Sequence, residues 1–178
     1  MSLESILSQP GRRGALVVVW DPEQEPDRVF IEALGREAEE MEKGGVVVVP
    51  MRRGDPDAAA GLLARLGMDA HAARMTPTEE RLVQLFLVEV IGLHEEVPMP
   101  VSLLFDSGGG LCTLYFGADA ADAVALDVRK LRYANPAAPD TTAVTGGLWL
   151  ARPRRDRAAL GRALGMLGAR ELARGLGG

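Results

Sequence analysis

Few residues in this chain have the types and spacing to do chemistry. Asp21 follows the apolar run ALVVVW (15–20), and Arg52 and Arg53 follow a second run, VVVVPM (46–51). If both runs are strands, an acid and two guanidiniums lie at strand carboxyl ends, where α/β sheets bind ligands. That trio suits a phosphorylated ligand: the arginines would hold the anion, and Asp21 would act directly or through a metal. The stretch between the runs argues the other way. DPEQEPD is acidic, no glycine fingerprint opens the following helix, and the chain has no GxxxxGK[ST] motif. Asp21-Pro22 and Asp55-Pro56 also suit plain turns and helix caps.

A second candidate is Asp106-Ser107-Gly108-Gly109-Gly110. Consecutive amides in a glycine turn can form an anion nest, but three glycines are equally what a tight hairpin needs. Ser107 has no partner for nucleophilic catalysis, because His71 and His94 stand in unrelated segments. One cysteine and two histidines supply no zinc spacing, so neither a metal nor a cofactor is expected. His94 suits a helix end, and the acidic cluster at 37–42 a solvated helix face. Cys112 lies inside an apolar run, as an inert core thiol would. A single cysteine allows no internal disulfide, which predicts a reducing, cytoplasmic setting.

Arg152, Arg154, Arg155 and Arg157 form a basic group that Arg12 and Arg13 could join, a candidate for nucleic acid. Aromatic residues are 4% of the chain and its net charge is −5, so stacking platforms are scarce and the electrostatic footprint is weak. Residues 1–99 carry net −8 and residues 100–178 net +3, an asymmetry that suits two solvated faces or a self-complementary pair. Arginine outnumbers lysine 18 to 2 and Asn135 is the lone asparagine, a composition that suits a thermophile.

The elements that must position these residues read as α/β. The 178 residues, 47% hydrophobic and 25% charged, suit one domain over 14–178 behind a flexible lead-in at 1–13. The two apolar runs are parallel strands joined by a helix. Asp27 is its expected N-cap, and Gly44-Gly45 ends it. A short helix is predicted over 56–67, capped by Asp55, followed by a linker over 68–75. A long helix follows from Thr76, with a capping box at Thr76 and Glu79 around Pro77. Its Leu82–Leu93 run is apolar nearly all round, which predicts the buried centre of the molecule. Residues 101–116 read as a hairpin inside the sheet and 143–151 as a last strand bent at Gly146-Gly147; 118–133 reads as a helix on its alanines, while Val124, Leu126 and Val128 also fit a strand. In a terminal helix over 154–175, Gly161, Gly165 and Gly168 form a stripe that predicts close packing, with a second copy or within the chain.

The expected fold is thus one domain with a central mixed β-sheet of about five strands, an N-terminal βαβ unit, a β-hairpin at 101–116 and helices on both faces. With no catalytic constellation, the expected role is a non-catalytic interaction or regulatory domain, a homo-oligomer or complex subunit, and the reading leans away from an enzyme. The alternatives are a nucleotide-like ligand binder at Asp21, Arg52, Arg53 and the 106–110 turn, and a nucleic-acid-associated protein. No segment reaches the ~20 apolar residues of a membrane span.

Overall fold

The computed structural model of the chain describes residues 3–54, 59–89, 99–131 and 148–149. It divides into two compact units, residues 1–74 with 98–150, and residues 75–97 with 151–178.

The first unit is built on β1 (Gly14–Trp20), every residue of which is buried. Its β-branched run suits a strand covered on both faces. β1 pairs in parallel with β2 (Val46–Arg52) and antiparallel with β4 (Val101–Asp106). Two further strands, β5 (Leu111–Phe116) and β6 (Leu148–Trp149), continue the antiparallel side. On the other side β3 (Ala73–Arg74) adds to β2 in parallel, giving the order β3-β2-β1-β4-β5-β6. The sheet is mixed, as the apolar patterning predicts. Its extra strand, β3, lies in the stretch expected to be a linker; a two-residue strand has no periodicity to announce it.

The β1–β2 crossover is α2 (Glu25–Lys43), which buries Phe30, Ile31, Leu34 and Met41. These side chains form one core with Leu16, Val18, Trp20, Val46, Val48, Leu104 and Tyr115 of the sheet. α5 (Ala121–Leu131) packs beside α2 and adds Val124 and Val128 to that core. The alternate residues Ala15, Val17, Val19, Val47 and Val49 are buried as well, so both faces of the central strands are covered. A short α1 (Leu3–Leu7) touches β1.

Two local expectations are corrected. α2 starts at Glu25 with Gln24 as N-cap, so Asp27 is not the cap but a buried residue of the first turn. Pro26 explains the earlier start, since proline is tolerated where a helix begins. The predicted 56–67 helix is shorter: α3 spans Ala60–Arg65, and a 3₁₀ turn at Asp69–His71 leads to β3. Asp55 and Pro56 lie outside the described residues.

In the second unit, α4 (Pro77–Glu89) begins with the predicted reciprocal cap. The Thr76 amide donates to Glu79 Oε2 at 2.7 Å, and the Glu79 amide donates to Thr76 Oγ1 at 3.2 Å. Of the run 82–93 expected to be the buried centre, residues 90–93 lie outside the described residues and the stretch 82–88 is only partly buried. Leu87 is buried, but Leu82, Val83, Leu85, Phe86 and Val88 are each partly exposed. The deepest burial belongs to β1, which has a hydrogen-bonded strand on either side. His94, the bend at Gly146-Gly147, the Arg152–Arg157 group and the glycines at 161, 165 and 168 all lie outside the described residues. No described helix is long and apolar enough to cross a membrane.

Candidate functional site

The βαβ crossover brings the end of β1, the end of β2 and the start of α2 together. At the exit of β1 the chain turns tightly. Asp21 Oδ1 accepts the Glu23 amide at 2.9 Å, and Asp21 O accepts the Gln24 amide at 3.1 Å. Two positions into α2, the Asp27 carboxylate accepts the Asp21 amide at 2.7 Å. Asp27 is 2% exposed. Burial raises its carboxyl above the usual carboxylate range and the nearby Asp21 charge adds to this, against the lowering effects of the Asp21 amide and of Arg53. The Arg53 amide donates to Trp20 O at 2.9 Å, which extends the pairing of β1 and β2 past their ends. Pro100, buried and following a cis peptide bond, precedes Val101, the register partner of Val19.

Of the residues expected to form a site, Asp21, Arg52 and Arg53 do share this end of the sheet. The 106–110 turn does not. Asp106 pairs with Gly14, at the opposite end of β1 from Trp20, so a seven-residue strand at ~3.3 Å per residue separates the two. The turn's anion nest is already filled from within: Asp106 Oδ1 accepts the amides of Gly108 at 2.9 Å and Gly110 at 2.8 Å. Asp106, Ser107, Gly108, Gly109 and Gly110 thus form a self-satisfied hairpin turn.

Cys112 sits on β5 and is partly exposed, with Sγ 3.6 Å from Gly110 O. Burial and the charge of Asp106 push its thiol up to about 11. It is protonated at neutral pH and a poor nucleophile, as its strand position predicts. Among the described residues no group of three or more His, Cys, Asp or Glu could hold a metal.

The sequence reading missed two residues of this end. Asp27 was assigned to a cap, although Pro26 just before it placed the helix start earlier. Arg74 lay unmarked in the supposed linker, yet it pairs in register with Arg52.

No protein-family model matches the chain. No curated protein matches it either. Solved structures do share the fold. One, from Neisseria meningitidis and described as a thioredoxin, aligns with a TM-score of 0.56 at 12% identity over 75% of this chain and 81% of its own. A secreted thiol-disulfide isomerase from Corynebacterium glutamicum aligns at 0.53 with 17% identity, over 68% and 72%. A thiol:disulfide interchange protein of the thioredoxin family from Chlorobium tepidum aligns at 0.51 with 14% identity, over 70% and 83%. The fold is therefore thioredoxin-like α/β.

These likenesses correct the expected role. The three aligned structures are described as a thioredoxin, a thiol-disulfide isomerase and a thiol:disulfide interchange protein, none as a non-catalytic interaction domain, a nucleotide-like ligand binder or a nucleic-acid protein. The cytoplasmic expectation is corrected with it, since the Corynebacterium protein is described as secreted. The physical reason is plain: one cysteine excludes an internal disulfide in any compartment and says nothing of which compartment it is.

Proposed function

We propose that this chain acts in thiol–disulfide exchange, outside the cytoplasm, on sulfur atoms supplied by its partners. The observation that carries this reading is the fold it shares with thiol:disulfide interchange proteins. The thiolate is the reactive form of sulfur, and a helix N-terminus stabilises it. Here the first residues of α2 are Glu25, Pro26 and Asp27 after Gln24, with no thiol among them. The one cysteine of the chain, Cys112, is held protonated on β5. Both sulfur centres of an exchange therefore come from bound partners.

In this reading a partner thiol reaches the start of α2 and gives its proton to Asp27, whose raised pKa suits it to hold one. The thiolate attacks the second partner's disulfide. A new S–S bond forms, the old one breaks, and the leaving thiolate recovers the proton from Asp27. One thiol and one disulfide enter and one of each leaves, so no external electrons are needed.

The test is the rate of exchange between 2-mercaptoethanol and a disulfide-bonded peptide at pH 7, with and without protein. The expected result is acceleration over buffer that Asp27→Asn removes and Cys112→Ser leaves in place. A rate equal to buffer overturns the reading. Loss of acceleration in Cys112→Ser would move the chemistry to β5.

A further inference from the structure

We propose that Arg52 and Arg74 form a carboxylate-binding pair that selects acidic thiols for the exchange described above; the choice of thiol as carrier rests on that reading, while the pair itself rests on geometry.

β1, β2 and β3 are parallel neighbours, and Trp20, Arg52 and Arg74 stand in one register row across them. In-register residues on parallel strands project to the same face. Trp20 belongs to the core formed with Phe30 and Ile31, so that face is the one α2 covers. The row is at the carboxyl ends of the strands, the end from which α2 starts. Neighbouring strands are ~4.8 Å apart, so the two guanidiniums can reach one small anion.

Like charges directly opposite on a sheet repel. Among the described residues neither guanidinium has a carboxylate partner to offset that repulsion. Arg52 Nε is buried without a hydrogen-bond acceptor, an arrangement that costs stability unless something fills it. Two acids at this end are engaged elsewhere. Asp21 Oδ1 accepts the Glu23 amide, and Asp27 accepts the Asp21 amide and is drawn to Arg53. An external carboxylate supplies the missing acceptor, and planar guanidiniums bind one through paired N–H···O bonds that a point charge cannot reproduce.

Two measurements test this. Calorimetric titration uses 3-(methylthio)propionate, which carries the carboxylate but no reactive thiol, with 2-(methylthio)ethanol as the neutral control and inorganic phosphate as the competing anion. The carboxylate is expected to bind, the alcohol is not, and Arg74→Gln is expected to weaken binding at least about tenfold, a change of ~1.4 kcal/mol. Arg74 is exposed, so this variant keeps the fold; Arg52→Lys tests the second member with charge retained. The exchange assay then compares 3-mercaptopropionate with 2-mercaptoethanol, where Arg74→Gln should raise the half-saturating concentration of the acid alone. Binding unchanged in both variants overturns the pair, and phosphate binding as tight as the carboxylate overturns the assignment of ligand class. Arginine-dependent carboxylate binding without any exchange activity would keep the site and sink the proposed function instead.

Discussion

The Asp27 carboxylate accepts the backbone N–H of Asp21 at 2.7 Å, which fastens the start of α2 to the exit of β1. The contact links the two elements that meet at the candidate site. It buries a carboxyl whose charge the surroundings only partly offset.

That burial sets a pH dependence. The folded pKa of Asp27 lies above its unfolded value, so the folded state holds the proton more tightly. Its contribution is fully present below the unfolded pKa and is lost as pH rises through the folded one. Asp27→Asn keeps an acceptor for the Asp21 amide without the charge. The variant should melt higher than the parent at pH 7, with the difference closing below about pH 4. A variant less stable at pH 7 would show that the charged form is favoured in place.

Cys112 should resist alkylation. With its thiol pushed up to about 11, roughly one molecule in a thousand carries the thiolate at pH 8. Iodoacetamide labelling of the native protein should be far slower than that of the urea-unfolded chain. Equal rates would place the thiol in open solvent.

Tyr115 Oη donates to Asp127 Oδ2 at 2.8 Å, and both residues are buried between β5 and α5. Burial and this carboxylate both hold the phenol protonated. Tyr115→Phe removes a donor from a buried acid and should cost about 1–3 kcal/mol in denaturant melts. A loss below ~0.5 kcal/mol would mean that Asp127 is satisfied without it. Ser102, the register partner of Tyr115, buries an Oγ with no partner, so Ser102→Ala should cost little or stabilise.

Gly35 lies in α2 against Leu66. A Cβ there would stand 2.7 Å from Leu66 Cδ2 and 2.9 Å from its Cβ. Alanine gains up to ~1 kcal/mol of helix propensity, but overpacking costs ~1–3 kcal/mol. Because the near atoms include the base of the leucine side chain, the clash should win and Gly35→Ala should lower stability. A stabilised variant would show that α3 shifts freely away from α2.

Much of the fold was legible in local chemistry. The runs 15–20 and 46–51 announced buried parallel strands, because β-branched residues without polar alternation have no solvent face. The capping box at Thr76 and Glu79 was legible for the same local reason, as its two hydrogen bonds lie within one helical turn. The segment 118–133 suited a helix by its alanines and a strand by its valine spacing, and the structure makes Ala121–Leu131 a helix. Where residues far apart in sequence determine the outcome, composition failed. The apolar run of α4 read as the molecular centre, yet β1 holds the deepest burial, because a strand between two hydrogen-bonded neighbours is covered in ways that no window of its own sequence records. The 106–110 turn suited an anion nest and a tight hairpin equally, and only the geometry placed the Asp106 carboxylate on its amides. Asp21, Arg52 and Arg53 were visible as candidates at strand ends. The pairing of Arg52 with Arg74 was not, since register across β2 and β3 depends on how the 53–72 segment folds back, which only the tertiary structure decides.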